Sequence, residues 1–279
     1  MGIHVDETLV VSLFVLSAAM CKNAVLARQP RTVRNSSDCP SVLIYNRIPK
    51  TGSTTMNSLI DVLANQNGFF HFDHLVHPSW SQDTRSLKRS HTVEMYGPDD
   101  IRHMVEDIKA KRAEHGRVLV DYHGFYLDYS QHGIEDHAYI QTMREPVDRV
   151  ISHYNYLHHD AEFRAVRPDS IEACLANSSW AMHTARHGDT SLVFDCYDRN
   201  WQTRVLCGHH PVCKSVDHLA LREARANLLQ HEVVLRTEDL AAGVRELERR
   251  LPCYFRGASE ALASLGPARV TPQAHKAPV

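Results

Sequence analysis

The chain has 279 residues, enough for one large domain or two small ones with a sizeable core. Its 43% hydrophobic and 23% charged content is that of a globular protein and argues against a disordered or fibrous chain. A formal net charge of −2 leaves no global basic field, so nucleic acid is not an expected partner and a polyanion would need a local basic patch.

Residues 8–20 form an apolar segment preceded by Asp6 and Glu7. Thirteen helical residues reach about 20 Å, short of the roughly 30 Å hydrocarbon core. The segment reads as a signal-peptide core or a clipped signal anchor over residues 1–21, with a buried N-terminal helix as the alternative. Two features favour the secretory reading. Asn35 and Asn177 each open an Asn-Ser-Ser glycosylation sequon. There are also seven cysteines. Cys207 and Cys213 would make a small disulfide loop, and Cys174 and Cys196 would close another, although spacing leaves the pairing open. Residues 22–41 are Arg-, Ser- and Pro-bearing and read as a stem or linker, with the globular part from residue 42 onward.

Residues 42–45 are a short apolar run with β-branched members, as in a buried strand. Pro49 and Gly52 mark a turn. Ser53, Thr54 and Thr55 then open a helix on which Met56, Leu59, Ile60 and Leu63 recur at helical spacing. A strand, a tight turn carrying Lys50 and Thr51, and a helix N-terminus together make an anion site, because the N-terminal N–H groups and the helix dipole favour negative charge. The order is not that of a Walker A loop, where Lys follows the second Gly. Further strands are predicted over 69–72, 117–122, 138–143 and 232–236. Helices are predicted over 98–112, 146–159, 216–229 and 239–250, with a loop-rich, Cys-bearing section over 164–213 and an undetermined tail after Gly257. Twenty His are present, but no H-E-x-x-H or C-x-x-C pattern occurs, so no metal is expected.

Alternating strands and helices imply an α/β, P-loop-like three-layer sandwich around a mostly parallel sheet, with ligands beyond the carboxyl ends of the strands. Lys50, His123 and Arg144 each follow a predicted strand, so this rule gathers them on one edge. Arg144, with Ser152 two turns into the next helix, suits a second phosphate. Two anion sites on one edge suit a nucleotide with phosphates at both ends.

Five ordered blocks carry a resemblance: residues 45–54 (Tyr-Asn-Arg-Ile-Pro-Lys-Thr-Gly-Ser-Thr), His123 with 126–129 (Tyr-Leu-Asp-Tyr), 144–149 (Arg-Glu-Pro-Val-Asp-Arg) with 152–154 (Ser-His-Tyr), Cys207-Gly-His with Cys213, and 251–258 (Leu-Pro-Cys-Tyr-Phe-Arg-Gly-Ala). In these the chain resembles the heparan sulfate 2-O-sulfotransferase and uronyl 2-sulfotransferase family of Golgi enzymes, over about residues 42–272.

The resemblance implies a donor, 3′-phosphoadenosine 5′-phosphosulfate, and transfer of its sulfuryl group to the 2-hydroxyl of a hexuronic acid, iduronate foremost, in heparan sulfate or a related glycosaminoglycan. Lys50, Thr51, Gly52, Ser53, Thr54 and Thr55 would hold the phosphosulfate, Arg144 and Ser152 the 3′-phosphate. Residues 269–271 match loosely a basic, hydroxyl-bearing loop over the nucleotide. His123 would be the general base, a role an imidazole suits near neutral pH. Lys50 would also stabilise charge on the bridging oxygen as the nucleotide leaves. Where family enzymes have a second His two residues before the base, this chain has Asp121. Arg256 matches an acceptor-side Arg, while Arg47, Arg85, Lys88 and Arg89 are acceptor candidates on charge alone. The resemblance further implies a lumenal, type II Golgi membrane protein, a possible homotrimer, and a domain over 42–279 shortened at its C-terminus. A catalytically inactive, glycan- or nucleotide-binding relative is the competing expectation. A kinase or NTPase is disfavoured by the lysine order and the lack of an acidic Mg²⁺ pair.

Overall fold

The computed structural model describes residues 39–73, 97–157, 170–176, 200–214 and 217–266. Five strands form one sheet: β1 (Val42–Asn46), β2 (Phe70–Asp73), β3 (Val118–Tyr122), β4 (His137–Met143) and β5 (His231–Arg236), in the order β2-β3-β1-β4-β5. Every pairing among them is parallel. Parallel neighbours need crossovers, and these are supplied by α1 (Ser53–Asn67), α2 (Pro98–His115), α3 (Pro146–Leu157), α4 (Ile171–Ala176), α5 (Trp201–Cys207) and α6 (His218–Leu228). After β5 come α7 (Leu240–Arg250), α8 (Pro252–Phe255) and α9 (Ala258–Ser264).

Alternation along the strands divides the core. Leu43 and Tyr45 face α1 and α7 to α9, joining Met56, Leu59, Ile60, Leu63, Leu247 and Phe255. Val42 and Ile44 face the other way, against Met104, Val105 and Ile108 of α2. Val234 and Met143 extend that second face under Val205 and Leu206 of α5 and Leu228 of α6. Each fully buried Leu or Ile contributes about 1.5–3 kcal/mol by area. A sheet covered on both faces explains why its strands read as continuous apolar runs.

The elements depart from the sequence reading in three places. The section expected to be loop contains α5, whose Trp201, Val205 and Leu206 are buried. The tail beyond Gly257 contains α9. Its first turn is capped from α7, where the Glu248 carboxylate accepts from Gly257 N–H (2.7 Å) and from the Ser259 hydroxyl (2.6 Å). The domain also reaches back beyond residue 42. Cys39 is disulfide-bonded to Cys253 with Cα atoms 6.3 Å apart, and the Tyr254 hydroxyl donates to the Pro40 carbonyl at 2.8 Å. Cys207 and Cys213 are bonded at the end of α5. The Cys174–Cys196 expectation, both sequons, residues 1–21, Arg85, Lys88, Arg89 and residues 269–271 lie outside what is described. Among the described residues no helix is long and apolar enough to cross a membrane.

Candidate active site

β1 lies between β3 and β4, so the loop after it sits between the loops carrying His123 and Arg144. Chain connections leave this centre in both directions, which opens a crevice beyond the strand ends. The loop over residues 47–52 is held by its backbone and its buried hydroxyls. Arg47 N–H donates to the Tyr122 carbonyl at 2.7 Å, and Ile48 beside it is fully buried. The Thr51 hydroxyl donates to the Ile48 carbonyl (2.8 Å) and meets the Thr142 hydroxyl (2.9 Å), which in turn meets the Tyr45 hydroxyl (2.7 Å). From the end of β5, the Thr237 hydroxyl reaches the Thr51 and Met143 carbonyls at 2.7 and 3.0 Å. Lys50 and Gly52 take positive φ, 69° and 85°, which turn the chain into α1.

No side chain caps α1 at Gly52, and Met56 N–H to the Gly52 carbonyl is its first backbone bond. Its first-turn N–H groups therefore open toward the crevice, the requirement for holding a phosphate or sulfate. Ser53 and Thr55 are half-buried there and Thr54 is exposed. The Lys50 ammonium lies 4.0 Å from the centroid of the Tyr156 ring on α3. Burial first, and the nearby Arg144 charge second, push the Lys50 ammonium below its usual pKa.

Arg144 is fixed through its backbone. Its N–H donates to Gln202 Oε1 (3.0 Å), its carbonyl accepts from Gln202 Nε2 (2.8 Å), and its guanidinium reaches the Lys50 carbonyl at 3.3 Å. Ser152 is half-buried on α3, one turn before Tyr156. Arg149, 1% exposed, donates to the Pro49 carbonyl at 3.5 Å and places a second cation behind the loop. Gln202, Thr142 and Thr237 carry no chemistry-bearing pattern in the sequence. Only their places at the strand ends and on α5 bring them to the site.

On the other side of β1, His123 Nδ1 lies 3.0 Å from the Arg47 carbonyl. A carbonyl only accepts, so Nδ1 carries the proton and the basic lone pair is at Nε2. Arg47 itself, expected to meet an acceptor, is only 5% exposed. Its guanidinium pairs with Asp121 (3.2 Å) and with Asp73 (3.5 Å). Asp121 is wholly buried, so it faces the Arg47 guanidinium and no outer surface. Asn57 of α1, oriented by the network, donates to Asp121 at 2.6 Å and accepts from Arg47 at 3.2 Å. His71 bridges Asp61 (2.6 Å) and Asp121 (3.5 Å). Burial alone would lower the His71 imidazole, but the two carboxylates outweigh it and raise its pKa. Burial and the Asp121 charge raise the Asp73 carboxyl to about 6.

Arg256 is not brought to this edge. Its carbonyl accepts from Asn67 at the last residue of α1, and α1 has 15 residues, about 22 Å of helix from Ser53. The cause is packing: Tyr254 and Phe255 are drawn into the core at the amino ends of β1 and β3.

A profile of the Sulfotransferase family matches residues 37–251, a span that holds the sheet, the loop after β1 and the Arg144 turn. The chain belongs to the sulfotransferase family. Among curated relatives, it is 29% identical over 230 residues to a heparan sulfate 2-O-sulfotransferase of Caenorhabditis elegans, covering 78% of this chain and 62% of the relative. It is 26% identical to those of Homo sapiens (84% and 60% covered) and Gallus gallus (78% and 57%). The chain thus spans about three fifths of the length of the curated relatives it matches.

Proposed function

We propose that this sulfotransferase moves the sulfuryl group of 3′-phosphoadenosine 5′-phosphosulfate to the 2-hydroxyl of a hexuronic acid, iduronate foremost, in heparan sulfate or a closely related glycosaminoglycan. One observation carries the reading: Lys50 and the uncapped N-terminus of α1 lie between Arg144 with Ser152 on one side and His123 on the other. The names of the relatives support the acceptor class.

Sulfuryl transfer is an in-line displacement in which positioning and charge stabilisation dominate. Residues 50–55 hold the phosphosulfate through N–H groups, the hydroxyls of Ser53, Thr54 and Thr55 and the Lys50 ammonium, the Thr51 hydroxyl being engaged by Ile48 and Thr142, while Arg144 and Ser152 hold the 3′-phosphate. His123 Nε2 takes the proton of the acceptor hydroxyl as its oxygen bonds to sulfur and the sulfur–oxygen bond to the nucleotide breaks. Lys50 leaves the Tyr156 ring to stabilise the charge gathering on that bridging oxygen. Arg47, held in its buried ion pair, is assigned to the base rather than to the acceptor. The same reading puts the domain in the Golgi lumen, tethered through residues 1–21, possible homotrimer included, and two disulfides agree with an oxidising compartment.

The test is transfer of labelled sulfate to a panel of desulfated polysaccharides, followed by disaccharide analysis, with Lys50→Ala and His123→Ala beside the wild type. The expected result is 2-O-sulfated uronate and losses of about 100-fold or more in each variant. Unchanged rates in both variants would overturn the assignment. Binding of adenosine 3′,5′-bisphosphate without transfer to any acceptor would select the inactive, ligand-binding relative instead.

A further inference from the structure

We infer that Asp121 is a positioning residue for His123, acting through Arg47, in the transfer reaction proposed above. The chain of contacts is short. Arg47 is held by backbone and side chain together: its N–H on the Tyr122 carbonyl (2.7 Å), its guanidinium on the buried Asp121 (3.2 Å) and the more exposed Asp73 (3.5 Å), and its carbonyl on His123 Nδ1 (3.0 Å). The first contact carries the β1–β3 ladder one residue past its last pair, Asn46 and Tyr122, and the last adds the His123 side chain to the end of it. The carbonyl that selects the His123 tautomer is thus part of a residue whose side chain cannot turn outward without breaking a buried ion pair.

Burial sets the strength of this anchor. Asp121 is 0% and Arg47 5% exposed, so separating them would strand a charge away from water, which costs far more than losing an exposed pair. Asn57 of α1 touches both partners, at 2.6 and 3.2 Å, and His71 ties Asp121 to Asp61 on the same helix. The helix whose first turn receives the donor is therefore bonded, one turn further on, to the pair that orients the base. Asp121 touches no acceptor in this arrangement. Its effect falls on the orientation and tautomer of His123, and thereby on the rate of the chemical step rather than on binding.

The experiment compares wild type with Asp121→Asn in the full chain, using steady-state transfer and nitrogen-15 histidine spectra, with the His123 signal assigned by its loss in His123→Gln. The wild type is expected to show a proton on Nδ1. Asp121→Asn is expected to mix the two tautomers and to lower kcat about tenfold, with both KM values within about twofold and the thermal shift with adenosine 3′,5′-bisphosphate retained. A wild-type proton on Nε2, or an Asp121→Asn enzyme with unchanged spectrum and kcat, would overturn the inference. So would a loss of nucleotide binding in step with kcat, which marks general damage. If Asp121→Asn does not fold, Asn57→Ala removes the bridge and keeps both charges; the same spectral change at smaller size is expected, and an unaltered spectrum counts against the inference. If the wild type transfers no sulfate, the proposed reaction fails on its own, and the tautomer comparison still decides the positioning role.

Discussion

Lys50 and Arg144 bring two cations to one crevice, and burial with Arg144's charge lowers the Lys50 ammonium. Each is a poor neighbour for the other until an anion lies between them, so the site favours dianionic ligands over monoanionic ones. A second buried group gives a pH prediction. His231 on β5 is 1% exposed and its Nδ1 donates to the Asn227 and Leu228 carbonyls. Burial pushes its imidazole down to about 4, against 6.5 ordinarily. Below pH 6.5 the unfolded chain takes a proton that the folded chain refuses, so stability falls with pH until about 4, by up to about 3 kcal/mol. Urea midpoints taken between pH 7.5 and 4.5 should drop for the wild type and drop less for His231→Gln. Equal slopes would show that His231 is not the group. The gathering of Lys50, His123 and Arg144 on one edge was legible in the sequence, because each follows a strand. Arg47 was legible as a charge but not as a buried one, since its partners Asp73 and Asp121 come from two other strands.

At the scale of elements, the turn from β1 into α1 depends on one backbone conformation. Gly52 has φ 85°, and a Cβ there would also lie 3.4 Å from Thr237 Cγ2. Gly52→Ala is expected to cost about 1–2 kcal/mol from the left-handed strain. It should also displace the first N–H groups of α1, so the nucleotide-induced rise in Tm should shrink by more than the loss of stability predicts. Calorimetry with and without adenosine 3′,5′-bisphosphate measures both. Long periodic elements such as α1 and α2 could be read from spacing, and the buried strands from their apolar runs. The short α5 and α9 could not. Seven residues give barely two turns of periodicity, and α9 takes its cap from Glu248 on another helix. The start of α6 is a smaller case: Asp217 accepts from Leu219 and Ala220 N–H and fixes the boundary two residues beyond the predicted start.

Across the whole molecule, the two edges of the sheet have different bonding. The carboxyl edge carries Lys50, His123, Arg144 and hydrogen-bonded hydroxyls. The amino edge carries the Cys39–Cys253 disulfide, Tyr254 on the Pro40 and Val118 carbonyls, and Arg117 on the Cys253 and Asn67 carbonyls. The disulfide spans 214 positions of sequence, and closing so long a loop removes about 5 kcal/mol of unfolded-chain entropy on the loop-length estimate. Cys253→Ser should therefore lower the denaturant midpoint by the equivalent of about 2–5 kcal/mol, with bisphosphate affinity per folded molecule unchanged, since no contact at the carboxyl edge is touched. An unaltered midpoint would mean that the amino edge is held by Tyr254 and Arg117 without covalent help. The same bond bears on mechanics. Cys39 stands three residues before β1, so tension arriving along the segment that precedes it passes through sulfur to α8 before it loads any strand. A pull between the two cysteines extends nothing while the bond is oxidised; once it is reduced, roughly 700 Å of chain becomes available to stretch. Thiol chemistry thus sets whether a tether at that end moves the domain as one body or unravels it.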